Sequence, residues 1–255
     1  KNLGFKKMKI THIWTQNLKL TKNIARSCLI QKICKNPSEM LNEIDGVIIA
    51  RDDWRSHKKL SLPFLKRNIP TFIDKPLSLE EKELYFFKPY LKKGILMSCS
   101  GLRYSQKIKN KKFILQKTGK INFIQMLVIN DLEKYGVHML EIINETIKIN
   151  FKKIIKLSKK HEFYKIISNN NIPIYLKCLG KVKKVFKISF YGKKGNVHFN
   201  INDNFKSFYN TLKKFEKMIK LKKNPIKYKD TLNVMNTIRA GKISNINQYR
   251  EIRNV

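Results

Sequence analysis

A lysine that directly follows an apolar segment is the first candidate for chemistry in this chain. Residues 69–76 read Ile-Pro-Thr-Phe-Ile-Asp-Lys-Pro, so Asp74 and Lys75 end a strand-like run and Pro76 comes directly after them. A buried, unpaired ammonium is costly, and proline cannot continue the hydrogen-bond ladder of a strand. We therefore expect Lys75 at the end of a strand, at the carboxyl edge of a parallel sheet, where ligands bind.

A second group of polar residues follows another apolar segment. Residues 44–50 are almost continuously apolar, which is typical of a strand buried on both faces of a parallel sheet. Asp52, Asp53 and His57 come next, at the predicted start of a helix. Carboxylates in the first turn of a helix interact favourably with its dipole, so these residues have a structural as well as a ligand-binding interpretation.

The elements that must position these residues alternate between strand-like and helix-like patterns. Short connections in the order strand, helix, strand indicate a parallel, doubly wound α/β sheet. We predict strands at residues 9–16, 44–50, 69–75 and 95–99, with helices at 18–34, 36–41, 56–67 and 78–93.

After residue 103 the pattern changes to short strands separated by polar turns. This change predicts two domains: a parallel-sheet domain at 1–103 and an α+β domain with an open, mainly antiparallel sheet at 104–255. The last helix, 230–241, is expected to pack back on the first domain. The predicted strands are 121–129, 151–157, 173–179, 182–191 and 196–201, and the predicted helices are 105–117, 131–144, 207–220 and 230–241.

The strong positive charge gives the chain an attraction for polyanions. It has 55 Lys and Arg against 18 Asp and Glu, a net charge of +37. The lysines are spread along the chain in short groups, without an aromatic-basic stacking motif, and accompany abundant isoleucine and asparagine. We favour compositional drift in an AT-rich genome over a polyanion-binding protein, because net charge by itself gives only non-specific attraction.

Cysteine spacing and hydropathy bear on the compartment. The four cysteines, Cys28, Cys34, Cys99 and Cys178, have no metal-ligand spacing, and no run of about 18 apolar residues is present. These features indicate buried, reduced thiols in a cytoplasmic protein without a metal site. The displayed sequence begins Lys-Asn-Leu-Gly-Phe without an initiator methionine, so we interpret the chain as N-terminally incomplete.

Several stretches follow one another in an order that resembles a known family. The most specific is an acid, a lysine and a proline that end a parallel strand, followed in the second domain by a histidine on a helix. This arrangement resembles the glucose-fructose oxidoreductase/inositol dehydrogenase family of nicotinamide-dependent oxidoreductases over nearly the whole chain. The stretches that carry the resemblance are residues 51–57, 73–77, 98–104, 134–138 and 208–226.

The resemblance implies a Rossmann-like first domain that binds NAD or NADP and a second domain that covers the nicotinamide. Members typically oxidise a secondary alcohol or reduce a ketone of a sugar, cyclitol or sugar derivative. They often dimerise through the outer sheet face, so we expect a homo-oligomer and no specific nucleic-acid or membrane partner. The implied cofactor contacts are Thr15, Ala50, Asp52, Asp53, His57, Asp74, Lys75 and Pro76.

The resemblance also implies catalytic roles. His138 would be the acid/base and Lys75 the cation that stabilises a developing alkoxide. Arg103, Lys134 and Tyr135 would contact the substrate. The structural alternatives are an ordinary exposed lysine at 75, a satisfied histidine at the helix–sheet boundary at 138, and a surface ion pair at 103.

The chain departs from the family pattern at the loop that binds the phosphates of the cofactor. The family's glycine-rich loop follows a first strand that we expect before residue 9, and Gly4 alone does not supply its three glycines. No acid ends the strand at Thr15 and Gln16, which slightly favours NADP, with Lys19 or Lys22 near a 2′-phosphate.

Two further departures concern the catalytic group. Asp74 replaces the commoner glutamate, and Lys134 replaces an aspartate four residues before the histidine. A protonated Lys134 is expected to lower the pKa of His138 or to contact an acidic substrate group. The leading hypothesis is an oxidoreductase, and the alternative is a catalytically reduced member that acts as a binding or partner protein.

Overall fold

The first hundred residues form two small parallel sheets with helices between their strands. The computed structural model describes residue 5 and residues 8–158 and 160–253. The two sheets are β1-β2 and β3-β4-β5, and all their strands are parallel. The elements are β1 His12–Ile13, α1 Leu18–Cys28, β2 Lys32–Ile33, β3 Val47–Ile49, α2 His57–Lys66, β4 Thr71–Ile73, α3 Glu81–Lys93 and β5 Leu96–Ser98.

The rest of the chain forms a seven-stranded sheet with helices on one face. Its strand order is β11-β10-β6-β9-β8-β7-β12, and every neighbouring pair is antiparallel except β6 and β9. The predicted fold class is confirmed. The elements are α4 Lys111–Thr118, β6 Ile121–Val128, α5 Val137–Ile147, β7 Phe151–Lys156, β8 Glu162–Ser168, β9 Pro173–Cys178, β10 Phe186–Gly192, β11 Gly195–Asn200, α6 Asn204–Leu221, α7 Tyr228–Lys242 and β12 Arg250–Glu251.

Helix α1 is shorter than predicted because of how it ends. Asn17 caps its start by accepting the Leu20 N–H, and Leu29 takes a left-handed conformation with φ 54° that stops it. Residues 32–33 then form a strand beside β1, which the sequence pattern assigned to the helix. Strand β8 was also missed, although its burial alternates strictly from one residue to the next.

Ser78 and Asp230 lie near the starts of α3 and α7, but neither residue caps its helix. Ser78 accepts the Glu80 N–H and donates to Glu83, so it organises the turn before α3 without capping the helix. Asp230 lies in the first turn of α7, whose cap position is Lys227. The carboxylates in these first turns, Glu81 and Glu83 of α3 and Asp230 of α7, still complement the helix dipole.

Helices α5 and α7 fill the inner face of the large sheet and complete the core. Leu140 and Ile143 of α5, with Met235 and Ile238 of α7, are fully buried. Helix α7 also contacts α3, and the Leu77 N–H lies 3.3 Å from the Met235 sulfur. The last helix thereby contacts both the large sheet and the segment that follows β4.

Three cysteines are buried, but Cys28 is exposed, contrary to expectation. The buried positions of α1 are Thr21 and Ala25, and Cys28 lies outside this buried face. None of the four forms a disulfide in the described structure. Among the described residues, no helix is long and apolar enough to cross a membrane.

Candidate functional site

Lys75 lies just beyond the end of the central strand of the three-stranded sheet. All three residues of β4 are buried, and the Asp74 N–H donates to the Ile49 carbonyl of β3, so the two strands end together. The Lys75 side chain is only 14% exposed, and its Nζ is 4.0 Å from Oδ1 of Asp52, whose side chain is 89% exposed. A mostly buried ammonium with one distant partner can bind a further oxygen.

The two neighbours of Lys75 shape the same turn. Burial raises the pKa of the Asp74 carboxyl, and the nearby Lys75 ammonium opposes that rise. Pro76 is buried and follows Lys75 through a cis peptide bond. The Asp74 carboxyl therefore interacts electrostatically with the Lys75 ammonium, and Pro76 follows the end of β4 as the sequence predicts.

His138 lies in the first turn of α5. It contacts Ser100, which lies at the carboxyl edge of the three-stranded sheet. Its Nδ1 is 2.6 Å from the Ser100 Oγ, two residues beyond β5. Burial and the positive charge of Lys75 together lower the pKa of His138 to about 3, and burial is the larger cause. The ring is therefore neutral at physiological pH and lies within the electrostatic reach of Lys75.

Two aromatic rings hold the imidazole on its other sides. Tyr135 and Phe186 stand edge-on to the ring of His138, with centroid distances of 5.8 and 5.9 Å. The structure thus brings together three of the predicted residues, Lys75, Tyr135 and His138. An ammonium beside a neutral imidazole can stabilise an oxyanion and exchange a proton with it.

Lys134 does not act on His138 as predicted. It lies in a single π-helical turn, Leu132–Gly136, and its side chain is exposed, while its N–H donates to Asp131. The charge that lowers the pKa of His138 belongs to Lys75. The wider turn rotates position 134 away from the face that ordinary helical spacing predicts.

Arg103 is not free to bind a substrate. Its side chain is 1% exposed and forms ion pairs with Glu141 and Glu145, while its Nη2 donates to Asn144 at 2.8 Å. These charges raise the pKa of the guanidinium further. Its structural alternative, an ion pair, is therefore correct, but the pair is buried and ties the end of β5 to α5.

His57 also has a structural position in place of the predicted cofactor contact. Its ring is fully buried, and its two nitrogens lie 3.0 Å from the carbonyl oxygens of Leu77 and Arg51. It connects the segments that follow β3 and β4. Asp53 accepts the Arg55 N–H and so caps the turn Trp54–Ser56, which leaves Asp52 as the carboxylate directed toward Lys75.

The remaining predicted cofactor residues line a cleft of about 900 Å³ between the two parallel sheets. Thr15 and Ala50 lie in this cleft with the apolar Leu20 and Ile24 of α1. The free edges of β1 and β3 face each other there, with no strand between them among the described residues. A further parallel strand in this position would join the two sheets.

Arg51 follows β3 at the edge of this cleft. Arg51 donates to Gln16 at 2.7 Å across the cleft, and its buried Nε has no hydrogen-bond partner in the described part of the chain. Arg51 therefore offers a donor in this cleft that a ribose hydroxyl or an amide oxygen can accept, whereas Lys75 is not among the described residues that line it. Gly4, the glycine considered for the phosphate-binding loop, lies outside the described residues.

Ser100 is the site residue that sequence reasoning missed. It is fully buried and follows β5 by two positions, as Lys75 follows β4 by two positions. Equivalent positions after neighbouring parallel strands meet at one edge of the sheet. That positional equivalence is the signal in the sequence that could have identified Ser100.

The family comparison agrees with this geometry. Residues 2–85 match the model of an oxidoreductase family with an NAD-binding Rossmann fold. The resemblance inferred from the sequence is therefore confirmed over the part of the chain that contains β1, β3, β4 and Lys75. Among curated proteins, no sequence matches.

Solved structures with the same fold match nearly the whole chain. Myo-inositol 2-dehydrogenase from Lactobacillus plantarum has 13% identity and a TM-score of 0.84, covering 97% of this chain and 93% of its own. A probable dehydrogenase from Thermotoga maritima has 14% identity and a TM-score of 0.81, with the same coverages. Scyllo-inositol dehydrogenase from Lactobacillus casei, solved with NAD(H) and scyllo-inositol, has 12% identity and a TM-score of 0.79, covering 96% and 91%. At these identities the likeness establishes the fold.

Proposed function

We propose that this chain, whose residues 2–85 belong to the oxidoreductase family with an NAD-binding Rossmann fold, transfers a hydride between a nicotinamide and a secondary alcohol or ketone. The observation that carries the proposal is the pairing of Lys75, at the end of a buried parallel strand, with the neutral imidazole of His138. In the described structure Lys75 has the distant Asp52 carboxylate as its ion-pair partner, and His138 has one hydrogen bond, which Ser100 makes through Nδ1.

The chemistry follows from the charges of the two groups. When bound, the nicotinamide supplies the hydride acceptor or donor. The Lys75 ammonium stabilises negative charge on the carbinol oxygen, and the His138 Nε2 takes or returns the hydroxyl proton. Tyr135 and Phe186 exclude water from the far side of the imidazole, which keeps the ring neutral.

The proposed cofactor is NAD, and NADP is the alternative. We place it against Thr15, Ala50, Arg51, Asp52 and Lys75, which lie at the ends of the parallel strands. Because no acid ends β1 at Thr15 and Gln16, a 2′-phosphate is not repelled there. Isothermal titration of the native protein with NAD(H) and NADP(H) tests this assignment, and micromolar binding of either supports it. No binding of either cofactor overturns the oxidoreductase proposal.

The substrate class is a polyol of the sugar or cyclitol kind. Two of the solved structures with the same fold carry inositol dehydrogenase names. A panel of cyclitols, sugars and sugar acids, followed by nicotinamide absorbance, tests this class. Cofactor binding without turnover on any of them would favour the catalytically reduced alternative.

The assembly is proposed as a homo-oligomer in the cytoplasm. The outer face of the large sheet carries a row of contacting rings, Phe163, Tyr175, Phe123 and Tyr191, and no described element covers it. A second copy on this face would bury these rings. Light scattering of the wild type and of Phe123→Asp tests this, and an unchanged mass for the variant would place the interface elsewhere.

A further inference from the structure

The ring of His138 has one hydrogen bond among the described residues, and Ser100 makes it. Ser100 Oγ is 2.6 Å from Nδ1 and accepts the Leu102 N–H at 3.0 Å. The side chain of Ser100 is fully buried, and by accepting the Leu102 N–H it caps the turn Gly101–Tyr104. A side chain that is held by burial and by this cap fixes the group that it contacts.

Ser100 stands where the sequence led us to expect a different partner for the histidine. The family pattern has an acid four residues before the histidine, and this chain has the exposed Lys134 there. The Ser100 hydroxyl approaches Nδ1 from the three-stranded sheet instead. The oxygen accepts the Leu102 N–H; toward Nδ1 it can either accept an N–H from the ring through its second lone pair or donate its own hydroxyl hydrogen.

Two residues besides Ser100 act on the ring. Lys75, from the segment after β4, is the charge that acts on the ring, and Tyr135 packs on it from the preceding turn. The neutral ring carries one proton, and only the form with that proton on Nδ1 leaves a lone pair on Nε2.

We propose that Ser100 is the positioning residue of His138: its oxygen accepts the Nδ1 proton and so leaves an unprotonated Nε2 for the substrate hydroxyl. The catalytic purpose of this arrangement rests on the proposed function. Its geometry rests on the observed contacts of Ser100. When Nε2 takes the hydroxyl proton, the ring becomes an imidazolium that still donates Nδ1–H to Ser100. When Nε2 returns that proton, the Nδ1 contact is unchanged.

The test is the protonation pattern of the imidazole in the native protein. In ¹⁵N-labelled wild type, side-chain correlation spectra are expected to show His138 with a protonated Nδ1 and an unprotonated Nε2. Ser100→Ala is expected to move both nitrogen shifts toward a mixture of the two neutral forms. Ser100→Thr keeps the hydroxyl and is expected to restore the wild-type pattern.

The matched control is Ser98→Ala. Ser98 is a buried serine of β5 whose hydroxyl has no hydrogen-bond partner in the described structure, so its loss should leave the imidazole spectrum unchanged. An unchanged spectrum for Ser100→Ala, or a wild-type ring protonated at Nε2, would overturn the proposal. If Ser100→Ala does not fold, the wild-type pattern and Ser100→Thr decide it.

Turnover separates this inference from the proposed function. On a polyol that the wild type oxidises, Ser100→Ala should lower kcat by about 10- to 100-fold and leave the KM for NAD unchanged. Wild-type turnover with an unaltered kcat in Ser100→Ala would refute the positioning role alone. A wild type with the expected imidazole pattern and no cofactor binding would refute the proposed function and leave the contact in place.

Discussion

At the level of single residues, burial and charge assign different roles to Lys75 and His138. Lys75 keeps an ammonium that is mostly buried and has one distant ion-pair partner, Asp52. His138 is kept neutral, first by burial and then by that same ammonium. A cation and a neutral base beside each other can act on one oxygen, because the base needs its lone pair and the developing alkoxide needs a counter-charge.

Replacing Lys75 tests the cation directly. Lys75→Met keeps most of the side-chain volume and removes the charge that stabilises the alkoxide, so kcat should fall by about 100- to 1,000-fold. The melting temperature should change little, because the ammonium has no close structural partner. Lys82→Met, at an exposed position of α3, is the matched control and should retain full activity. Equal losses of activity and of thermal stability in Lys75→Met would make Lys75 a structural residue.

The lowered pKa of His138 predicts how stability depends on pH. Folding lowers this pKa from 6.5 to about 3, so the unfolded chain binds this proton more readily between the two values. The contribution of the neutral ring is fully present above about pH 6.5 and is lost as the pH falls toward about 3. As the pH is lowered through this window, the free energy of unfolding should fall less steeply for His138→Gln than for wild type. The two slopes should differ by up to about 1.4 kcal/mol per pH unit.

Urea denaturation at several pH values within this window measures the difference. His161→Gln, in the loop before β8 and exposed, is a control that should keep the wild-type slope. Identical slopes for wild type and His138→Gln would mean that the ring is not buried as a neutral group.

At the level of elements, the end of β5 is joined to α5 by two polar contacts in parallel. Ser100 contacts His138, and one turn further along α5 Arg103 pairs with Glu141. Burial raises the pKa of the Glu141 carboxyl, and the Arg103 guanidinium counteracts that effect. The ion pair thus holds the helix that carries His138 against the strand end that carries Ser100.

Breaking this ion pair on one side should be severe. Arg103→Met leaves the Glu141 carboxylate buried without its partner, and it should cost about 3–5 kcal/mol of unfolding free energy. The double variant Arg103→Met with Glu141→Leu should recover most of that loss, because no unpaired charge remains buried.

Chemical denaturation of the three proteins measures both effects. As a control, Lys148→Met removes an exposed ion pair with Glu145 and should cost less than about 1 kcal/mol. A double variant as unstable as the single one would show that Arg103 acts through packing and not through charge compensation.

At the level of the whole molecule, the net charge of +37 is distributed over both sheets and their helices. Such a surface attracts polyanions without selecting among them. Affinity for fluorescent single-stranded DNA should fall on the order of 1,000-fold between low and physiological salt, equally for unrelated sequences. Binding that survives physiological salt and depends on sequence would instead indicate a dedicated nucleic-acid site.

The features that depend on neighbours along the chain follow from the order of the residues. The apolar run before Asp74, Lys75 and Pro76 predicts a strand end, and the alternation of such runs with helical patterns predicts the parallel sheets. Local patterns are less reliable where a short strand directly follows a longer helix. Strand β2 was assigned to a helix because Leu29 gives no sequence signal for the left-handed conformation that ends α1.

Which polar groups meet depends on how the helices and strands pack. Ser100 and His138 are 38 positions apart, as are Arg103 and Glu141. The sequence offered Arg103 as a substrate contact and Lys134 as the neighbour of His138, since it shows which groups carry charge but not which of them share a buried volume. Packing α5 against the end of β5 neutralises Arg103, a π turn directs Lys134 to solvent, and Lys75 and Ser100 are left as the groups that act on His138.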